Sequence, residues 1–335
     1  MVLVTGSTGL VGSHLLLKLV EENVPVRALY RSDTKLNQAK KTFSYYSENA
    51  TALMDSIDWV VGDILDIPSL DEAFQNVTHV YHCAALISFS PADFNVLDRV
   101  NREGTANIVN MCITKNIQKL CYVSTIGTIG RNAERNLVDE ETEFNRQHAN
   151  PYAITKHLAE MEVWRGAQEQ LPIVIVNPGV ILGPGHWEKG SGSFFKTAFK
   201  NYPYYPPGGS GFVSVTDVTT TMVQLMNSTI VGERYILVAA NKTYQEILGM
   251  ISNAMEKKAP RKKIHLWQLH IGKYFDRLRN LLTRKPRTIT NSTIHGLMHP
   301  TKFDNSKIKN ALNYTFEPLE KTIAFSSKIF LKEHP

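Results

Sequence analysis

The sequence is poor in cysteine and has no long apolar run, and each absence excludes a class of protein. Its three cysteines, Cys83, Cys112 and Cys121, form no CxxC pair and have apolar neighbours. We therefore expect reduced core thiols, not a disulfide framework or a zinc site. No run of about eighteen apolar residues occurs, so no transmembrane helix is predicted. The chain begins directly with a strand-like run and shows no signal or transit peptide, which predicts a cytoplasmic location.

The net charge of +6 comes from one segment. Residues 256–287 hold eleven Lys or Arg and two acidic residues, a local net charge of +9, which leaves about −3 for the rest. Because the excess is confined to this segment, we expect no nucleic-acid partner. Apolar residues, among them Trp267, interrupt the basic ones. The segment is therefore either a solvated helix packed on the C-terminal part, which we favour, or a helix that contacts an anionic membrane surface peripherally.

Three glycines near the start form the clearest motif. An apolar run, Val2 to Val4, leads into Gly6, Gly9 and Gly12 at GxxGxxG spacing, and apolar residues at helical spacing follow. A buried strand, a tight turn and a helix in this order are typical of a dinucleotide site, where the helix N-terminus holds the pyrophosphate. A glycine-rich turn without a ligand is the alternative. The predicted cofactor contacts in this turn are Gly6, Thr8, Gly9, Leu10, Val11 and Gly12.

The end of the second predicted strand indicates which cofactor binds. The strand at residues 25–30 ends at Arg31, and no acidic residue follows before Asp33. An acidic residue here would bind the ribose 2′-hydroxyl of NAD, whereas arginine suits the 2′-phosphate of NADP. The sequence therefore favours NADP(H) and leaves NAD(H) possible. Asp63, past the third strand, is a candidate for contact with the adenine together with Ile64, or else a turn-forming aspartate.

Strands and helices alternate through most of the chain. Further strands are predicted at residues 58–63, 79–85, 119–123, 171–176 and 234–238. The alternation predicts an α/β fold, a Rossmann-type doubly wound parallel sheet with a smaller C-terminal substrate-binding lobe. We expect residues 1–185 to form the NAD(P)-binding domain, with 213–239 returning to it. Residues 186–212 and 240–335 would form the substrate-binding lobe.

Periodicity gives two more local predictions. Residues 95–116 have helical spacing, and the positions predicted to face inward are Val96, Val100, Ile108, Val109 and Cys112. Residues 212–218 are predicted to start a helix that Thr216 or Asp217 caps. His82 is interpreted as a core histidine, since no second metal-ligating residue stands near it. We predict no metal site.

A tyrosine stands four residues before a lysine, Tyr152 and Lys156, in a segment that can be helical from Pro151 onward. One turn apart, the two side chains share a face of the helix. A charged lysine lowers the pKa of a phenol from about 10, which lets Tyr152 exchange a proton with a substrate oxygen near neutral pH. Ser124 and Thr125 end the fifth strand and face the same crevice. Beside a nicotinamide these groups predict hydride transfer at a carbonyl, unless the Tyr-Lys pair is merely a surface pair.

The motifs TGSTGLVG, HCAA, YVST, YAITK and NPGVILGPG occur here in the order of the extended short-chain dehydrogenases/reductases. The chain resembles this superfamily, and within it the dihydroflavonol 4-reductase-like branch that neighbours the 3β-hydroxysteroid dehydrogenases. The resemblance implies that Thr125, Tyr152 and Lys156 are catalytic. Thr125 is chosen over Ser124 by its distance from Gly130. A homodimer formed through the helix that carries Tyr152 is also implied.

The resemblance and the apolar loops complete the predicted site. Residues 87–89 and 202–212 form an apolar and aromatic pocket roof, which favours a hydrophobic or ring-bearing substrate. The remaining predicted cofactor contacts are Ala84, Ala85, Tyr152, Lys156, Pro178 and Val180. The predicted substrate contacts are Ser88, Phe89, Thr125, Tyr152 and Gly179.

Departures from related branches narrow the reaction. Nucleotide-sugar dehydratases place Asp-Glu after the catalytic threonine, where this chain has Ile126 and Gly127. Sugar-nucleotide epimerases usually have an asparagine where Val180 stands. We therefore predict an NADP(H)-dependent reductase or dehydrogenase (EC 1.1.1.-) that interconverts the carbonyl and alcohol forms of a small-molecule substrate. The alternatives are a nucleotide-sugar epimerase with bound NAD and a non-catalytic dinucleotide-binding sensor.

Overall fold

A computed structural model describes residues 1–130, 137–188, 190–283 and 290–335 of the chain. Its strands are β1 (Val2–Thr5), β2 (Val26–Tyr30), β3 (Asp58–Val61), β4 (His79–His82), β5 (Lys119–Val123), β6 (Leu137–Val138), β7 (Ile173–Pro178), β8 (Val180–Leu182), β9 (Tyr204–Tyr205), β10 (Gly209–Ser214), β11 (Glu233–Leu237), β12 (Ala240–Thr243), β13 (Lys262–Lys263) and β14 (Lys302–Phe303).

Its α-helices are α1 (Leu10–Glu21), α2 (Asp33–Ser44), α3 (Ala50–Asp55), α4 (Ile67–Ala73), α5 (Phe94–Asp98), α6 (Gly104–Thr114), α7 (Pro151–Gln168), α8 (Gly192–Phe199), α9 (Val215–Asn227), α10 (Tyr244–Ala254), α11 (Leu266–Thr283), α12 (Asn291–Met298), α13 (Ser306–Leu312) and α14 (Leu319–Glu333). Within the described ranges, no helix combines the length and the apolar character that crossing a membrane requires.

Seven parallel strands form the main sheet in the order β3-β2-β1-β4-β5-β7-β11. From β1 the chain adds β2 and β3 on one side and then crosses to β4 on the other. Strand order therefore reverses between β1 and β4, and ligands of such sheets bind there, beyond the carboxyl ends of the strands. The predicted α/β fold with a doubly wound parallel sheet is confirmed.

Both faces of the main sheet are covered by helices. In β1, Leu3 packs on the side of α4, α6 and α7, whereas Val4 packs on the side of α1, α2 and α9. Val80 and Tyr81 of β4 repeat this alternation. Strands that are buried on both faces have continuous apolar sequences, and this explains the unbroken apolar runs of the central strands.

A second, three-stranded sheet in the order β8-β10-β12 follows the main one. Its strand β10 is parallel to β8 and antiparallel to β12. Leu182 and Phe212 of this sheet pack with α8, α10 and α14 in an apolar cluster of their own. Between β10 and β12 the chain runs back to the main sheet, where α9 packs beside α1 and β11 pairs with β7.

The helix predicted at residues 95–116 is interrupted. A π-helical segment, Arg99–Glu103, separates α5 from α6, and Val96 is exposed although the periodicity placed it inward. A π turn inserts an extra residue and so rotates the part of the helix before it relative to the part after it. A single 3.6-residue periodicity therefore does not predict the inward positions on both sides. Within this segment Asn101 is buried and hydrogen-bonds both backbone groups of Leu86, as well as Thr155 of α7.

The start of α9 also differs from the prediction. Residues 209–214 form β10, and Ser214 is the N-cap whose Oγ accepts a hydrogen bond from the Asp217 backbone at 2.9 Å. Asp217 lies inside the first turn, where its carboxylate accepts from Ser214 Oγ at 2.7 Å. The prediction of Thr216 or Asp217 as cap was therefore wrong by two or three positions, because the helix begins earlier, directly after β10, and the last residue of the strand is also the N-cap.

Candidate active site

The glycine turn lies where strand order reverses. Gly6 has a φ of +64°, and a Cβ added to it would lie 2.5 Å from the backbone nitrogen of Ala84. A Cβ on Gly12 would collide with the Gly6 carbonyl oxygen. Side chains at these two positions would therefore push the end of β4 or α1 away from the turn. Gly9 is less crowded, since a Cβ there would approach only the Gly6 carbonyl oxygen, at 3.2 Å.

The N-terminus of α1 fits a pyrophosphate. Gly9 is the N-cap and supplies no side-chain acceptor, and the first turn holds no acidic residue. The first backbone N–H groups of a helix have no partner within the helix, and together they favour an anion. Thr8, Leu10 and Val11 surround this end and are half-buried. The turn therefore has the donors and the open backbone that a dinucleotide requires.

The two residues predicted at the adenosine end lie next to each other. Arg31 Nη1 is 3.8 Å from Asp63 Oδ2 across the ends of β2 and β3, and the Arg31 side chain is 62% exposed. This ion pair is weak, because both groups face water. Asp63 Oδ1 also accepts a hydrogen bond from the Leu65 backbone at 3.0 Å, the turn-forming role. The Ile64 side chain is buried and packs in the core cluster on the side of α4, α6 and α7.

Buried polar residues lie beneath the end of β4. His82 Nδ1 is hydrogen-bonded to Thr5 Oγ1 at 2.6 Å and His82 Nε2 to Thr105 Oγ1 at 3.0 Å. Burial, and to a smaller degree the charge of Lys156, lowers the pKa of His82 to about 3, so the imidazole is neutral. Above it, Ala84 and Ala85 continue past the strand with small side chains.

In the described part of the chain, no cluster of three His, Cys, Asp or Glu side chains could bind a metal ion.

The two hydroxyl groups at the end of β5 have different partners. Ser124 is buried and its Oγ donates to Glu160 Oε2 at 2.5 Å. Thr125 is half-buried, and its Oγ1 accepts from the Gly127 backbone at 3.2 Å. The Ser124 proton is thus held by an internal carboxylate, whereas the half-buried Thr125 hydroxyl does not bond to this carboxylate. This difference favours Thr125 as the residue that contacts a reacting oxygen.

Helix α7 carries the tyrosine and the lysine. Asn150 caps it, since its Oδ1 accepts from the Ala153 backbone at 2.8 Å, and Pro151 occupies the first turn. Lys156 is 1% exposed, and its Nζ donates to the Val123 carbonyl at 2.8 Å and to Tyr122 Oη at 2.5 Å. These bonds join α7 to the end of β5. They bring the helix that carries Tyr152 against the end of β5, which Thr125 follows by two residues.

The pKa values differ from the sequence-based prediction. Burial raises the pKa of Tyr152 to about 12. Burial also lowers the pKa of Lys156 to about 7, an effect that Glu160 partly opposes. The predicted lowering of the tyrosine pKa is therefore not found here, because the lysine hydrogen-bonds Tyr122 and not Tyr152. The pKa of Lys156 therefore lies close to neutral pH. A nearby anion would raise it, because it stabilises the charged form of the lysine.

The predicted substrate residues divide into two groups. Phe89 is 44% exposed and its ring contacts the Tyr152 ring edge-on, with centroids 6.1 Å apart. Ser88 lies beside it, but its Oγ donates to Asp93 Oδ2 at 2.5 Å. Gly179 has a packing role, because a Cβ there would collide with the carbonyl oxygen of Gly211.

The last two predicted cofactor contacts lie beyond the fifth strand. Pro178 ends β7, next to β5, at the same edge of the sheet as Thr125. Val180 belongs to β8 and pairs with Phe212 of the second sheet. The chain therefore passes from one sheet to the other within Pro178–Val180, with Gly179 between them.

The structure also assigns roles to residues that the sequence analysis missed. Glu160, fully buried on α7, accepts hydrogen bonds from Ser124, Thr128 and Asn177, and Arg234 Nη1 lies 3.1 Å from its Oε1. One carboxylate thus joins α7 to β5, β7 and β11. Its position four residues after Lys156 places it on the same face of the helix. Glu160 was nevertheless not expected in the interior, because charged residues are seldom fully buried.

Known proteins resemble this chain in both sequence and fold. The family model described as the NAD dependent epimerase/dehydratase family matches residues 2–237. A putative dihydroflavonol 4-reductase of Synechocystis sp. is 30% identical over 271 residues, which cover 79% of this chain and 75% of that protein. The crystal structure of gox2253 is 26% identical, with a TM-score of 0.82 over 99% of this chain and 98% of that one.

A more distant structure has the same fold. The UDP-glucuronic acid 4-epimerase from Bacillus cereus, solved with UDP-glucuronic acid and NAD, has a TM-score of 0.76 at 19% identity, over 99% of both chains. The family model covers well over half of the chain, in the part that contains the glycine turn and the Tyr-Lys pair. The chain therefore belongs to the NAD dependent epimerase/dehydratase family and is an oxidoreductase of the extended short-chain dehydrogenase/reductase type.

Proposed function

We propose that this protein is an NADP(H)-dependent reductase or dehydrogenase that interconverts a carbonyl and an alcohol on a hydrophobic or ring-bearing small molecule. The observation that carries the proposal is the bond from Lys156 Nζ to the Val123 carbonyl, which fixes α7 against the end of β5. Tyr152, Lys156 and Thr125 are thereby collected at the carboxyl edge of the sheet, on the same edge as the glycine turn.

Each residue has a distinct task in the proposed reaction. When bound, the nicotinamide supplies or accepts the hydride. Tyr152 gives its proton to the substrate oxygen in reduction and takes it back in oxidation. Thr125 donates a hydrogen bond to the same oxygen and so fixes its position. Lys156, in its charged form, stabilises the phenolate that remains on Tyr152 after proton transfer.

The surroundings of Tyr152 support an apolar, ring-bearing substrate. Phe89 presents its ring beside the Tyr152 phenol, and Ile87 is 54% exposed on the same loop. The Synechocystis relative is named for a flavonoid substrate, which contains rings. We propose residues 1–185 and 213–239 as the cofactor-binding part and residues 186–212 and 240–335 as the substrate-binding lobe.

NADP(H) is the proposed cofactor because of the charge at the end of β2. The guanidinium of Arg31 is largely exposed and only loosely paired with Asp63. Ser32 caps α2 without a side-chain hydrogen bond to its first turn, so the backbone donors of this helix start beside Arg31. A 2′-phosphate would meet a guanidinium and helix donors here, opposed by the carboxylate of Asp33 in the first turn, whereas an NAD ribose would need an acidic acceptor at the strand end.

The test replaces Tyr152 by phenylalanine. The expected result is a loss of turnover by a factor of about 10² to 10⁴, since the variant has no proton to transfer, while the NADPH dissociation constant stays the same. Turnover is measured as NADPH absorbance over a panel of aromatic and alicyclic carbonyl compounds, and binding by fluorescence titration. The control is Tyr235→Phe on β11, which removes another phenol hydroxyl and keeps the ring.

Three results would contradict the proposal. Unchanged turnover in Tyr152→Phe would remove the proposed proton donor. Interconversion of nucleotide sugars without net NADPH consumption would indicate an epimerase instead. Tight dinucleotide binding with no turnover on either type of substrate would indicate a sensor.

A further inference from the structure

Helix α11 exposes an apolar stripe. Trp267, Ile271, Tyr274 and Phe275 have exposed fractions of 61%, 49%, 78% and 68%. Large apolar side chains exposed singly are ordinary, but four neighbours on one helix are not. At about 100° per residue, these four positions fall within an arc of about 100°, so they form one continuous strip along the helix. We call this set the α11 stripe.

The stripe lies opposite to the face by which α11 is attached. Leu269 and Asp276 are the buried residues of the helix in its described part. Their positions are about 180° to 200° around the helix axis from Trp267. Packing against the protein therefore uses the other side of α11, and the stripe points outward. An amphipathic helix of a monomeric globular protein has its apolar face inside, whereas α11 carries this apolar stripe on its outer side.

Basic residues border the stripe. Lys262, Lys263 and Arg277 are exposed, and they belong to the segment 256–287 with its net charge of +9. Around the helix axis, Arg277 lies about 60° beyond one edge of the strip and Arg279 about 40° beyond the other. Cations beside exposed aromatic side chains are the pattern of helices that lie at the boundary of lipid headgroups and acyl chains.

The stripe is connected to the rest of the lobe by a small sheet. β13, which precedes α11, pairs with β9, and Lys262 Nζ lies 5.8 Å from the centre of the Tyr204 ring. Tyr202 and Tyr204 are exposed near this sheet. Tyrosine and tryptophan favour the headgroup region of a membrane, because their rings are apolar and their N–H or O–H groups are polar. The same side of the protein therefore carries more residues of the kind found at a membrane surface.

We propose that the α11 stripe and the basic residues beside it form a docking surface for an anionic lipid bilayer. Charge complementarity selects this occupant. A second copy of the chain would bring the same positive segment against itself, and the two segments would repel. On a bilayer, the aromatic side chains enter the headgroup boundary while the basic ones meet anionic headgroups. The proposal is independent of the reaction that the protein catalyses.

Vesicle binding tests the proposal with the full chain. We expect sedimentation with vesicles of phosphatidylcholine mixed with phosphatidylserine and much weaker sedimentation with phosphatidylcholine alone. Binding should weaken at high salt, because salt screens the basic residues. On binding, the emission of Trp267 should shift to shorter wavelengths as its ring leaves water. The shift should be absent in Trp267→Phe. This variant keeps an aromatic ring at the exposed position and is therefore not expected to destabilise the fold.

Two variants separate the apolar from the basic contribution. Trp267→Ser with Phe275→Ser should lower the partition coefficient at least about tenfold, since two large apolar side chains no longer leave water. Lys263→Gln with Arg277→Gln should lower it about fivefold for each charge removed. The matched control is Val96→Ser with Val231→Ser, which replaces two exposed apolar residues elsewhere and should leave binding unchanged.

Equal binding to neutral and anionic vesicles would overturn the proposal, as would wild-type binding by the Trp267 and Phe275 double variant. Sedimentation velocity without lipid measures whether the protein forms a dimer. A dimer that this double variant dissociates would assign the stripe to a second copy of the chain and would also overturn the proposal. Circular dichroism confirms that each variant is folded before its binding is interpreted.

Discussion

The neighbouring hydroxyls Ser124 and Thr125 differ by one position in the chain and by their whole environment in the structure. Ser124 Oγ bonds to the buried carboxylate of Glu160, and Thr125 lies half-buried at the strand end. Counting along a motif also selected Thr125, but only the three-dimensional arrangement supplies a physical reason. At this scale the function depends on which partner each polar atom has.

Arg31 offers a test at the scale of one residue. In Arg31→Ala, we expect the dissociation constant of NADPH to rise about tenfold to a hundredfold, the value of a lost charge-assisted hydrogen bond, while that of NADH stays the same. Isothermal titration of both cofactors measures the difference. Arg165→Ala on α7 is the control, since its guanidinium pairs with Glu162 and Glu169 on the helix surface. Equal losses for both cofactors would show that Arg31 does not recognise the 2′-phosphate.

Helix α7 shows what an element adds to its residues. It carries a half-buried Tyr152 in its first turn and buries Lys156 one turn later and Glu160 after another turn. Lys156 bonds the end of β5, and Glu160 bonds residues on β7 and β11 as well. One helix thus connects the carboxyl ends of β5 and β7, and Arg234 near the start of β11, to the segment that carries the tyrosine. A buried polar network of this kind is stabilising only while its members remain paired.

Glu160→Gln tests the role of this network. The variant leaves the partly buried guanidinium of Arg234 without its carboxylate, and we expect it to lower the free energy of unfolding by about 3 kcal/mol. Turnover should fall as well, because the single oxygen of the glutamine amide can accept either from Ser124 and Thr128 or from Arg234, and the other side of the network then faces an N–H donor. Denaturant unfolding and NADPH turnover measure the two effects. Glu162→Gln, which removes only a half-buried ion pair with Arg165 on the same helix, should change neither appreciably, and a stable, fully active Glu160→Gln would contradict the assignment.

Across the whole molecule, the last helix joins the two parts of the chain. Glu333 of α14 accepts from Tyr45 Oη at 2.6 Å and from Trp187 Nε1 at 2.8 Å, and Lys41 Nζ lies 2.8 Å from its carboxylate. Helix α2, which flanks the proposed cofactor site, is thereby connected to the cluster around α8 and α14. Tyr314 Oη adds a second connection through Asp217 of α9, at 2.7 Å.

Glu333→Gln tests this connection and has a defined pH dependence. Burial tends to raise the pKa of Glu333, but its bonds from Lys41, Tyr45 and Trp187 outweigh burial and lower it. A carboxyl with a lowered pKa in the folded state stabilises the fold above its unfolded pKa and loses this effect as pH falls through the folded value. At pH 7 we expect the variant to be less stable by about 1 to 2 kcal/mol, a value reduced because Lys41 is half exposed.

Thermal unfolding across pH measures this effect. The difference between wild type and Glu333→Gln should shrink below pH 4.5, the ordinary value for glutamate, and disappear in more acidic solution. Glu320→Gln, on the same helix but exposed, is the control and should show no such trend. A difference that stays constant with pH would mean that Glu333 acts through packing alone.

The sequence by itself determined the features that depend on near neighbours in the chain. The order of strand, glycine turn and helix at residues 2–21, the alternation that gives a parallel sheet, and the spacing of Tyr152 and Lys156 are all local patterns. Backbone geometry and helical periodicity convert such patterns directly into structure. They also carried the resemblance to the family that the comparisons then showed.

Only the tertiary structure decided features that depend on residues far apart. The bond of Lys156 to Tyr122, the burial of Glu160 beside Arg234 and the outward face of α11 each require elements that are distant in sequence to meet. The partner of a lysine sets its pKa, and the attached side of a helix sets which face meets solvent. Neither is encoded in local spacing, since both depend on the surroundings that packing creates.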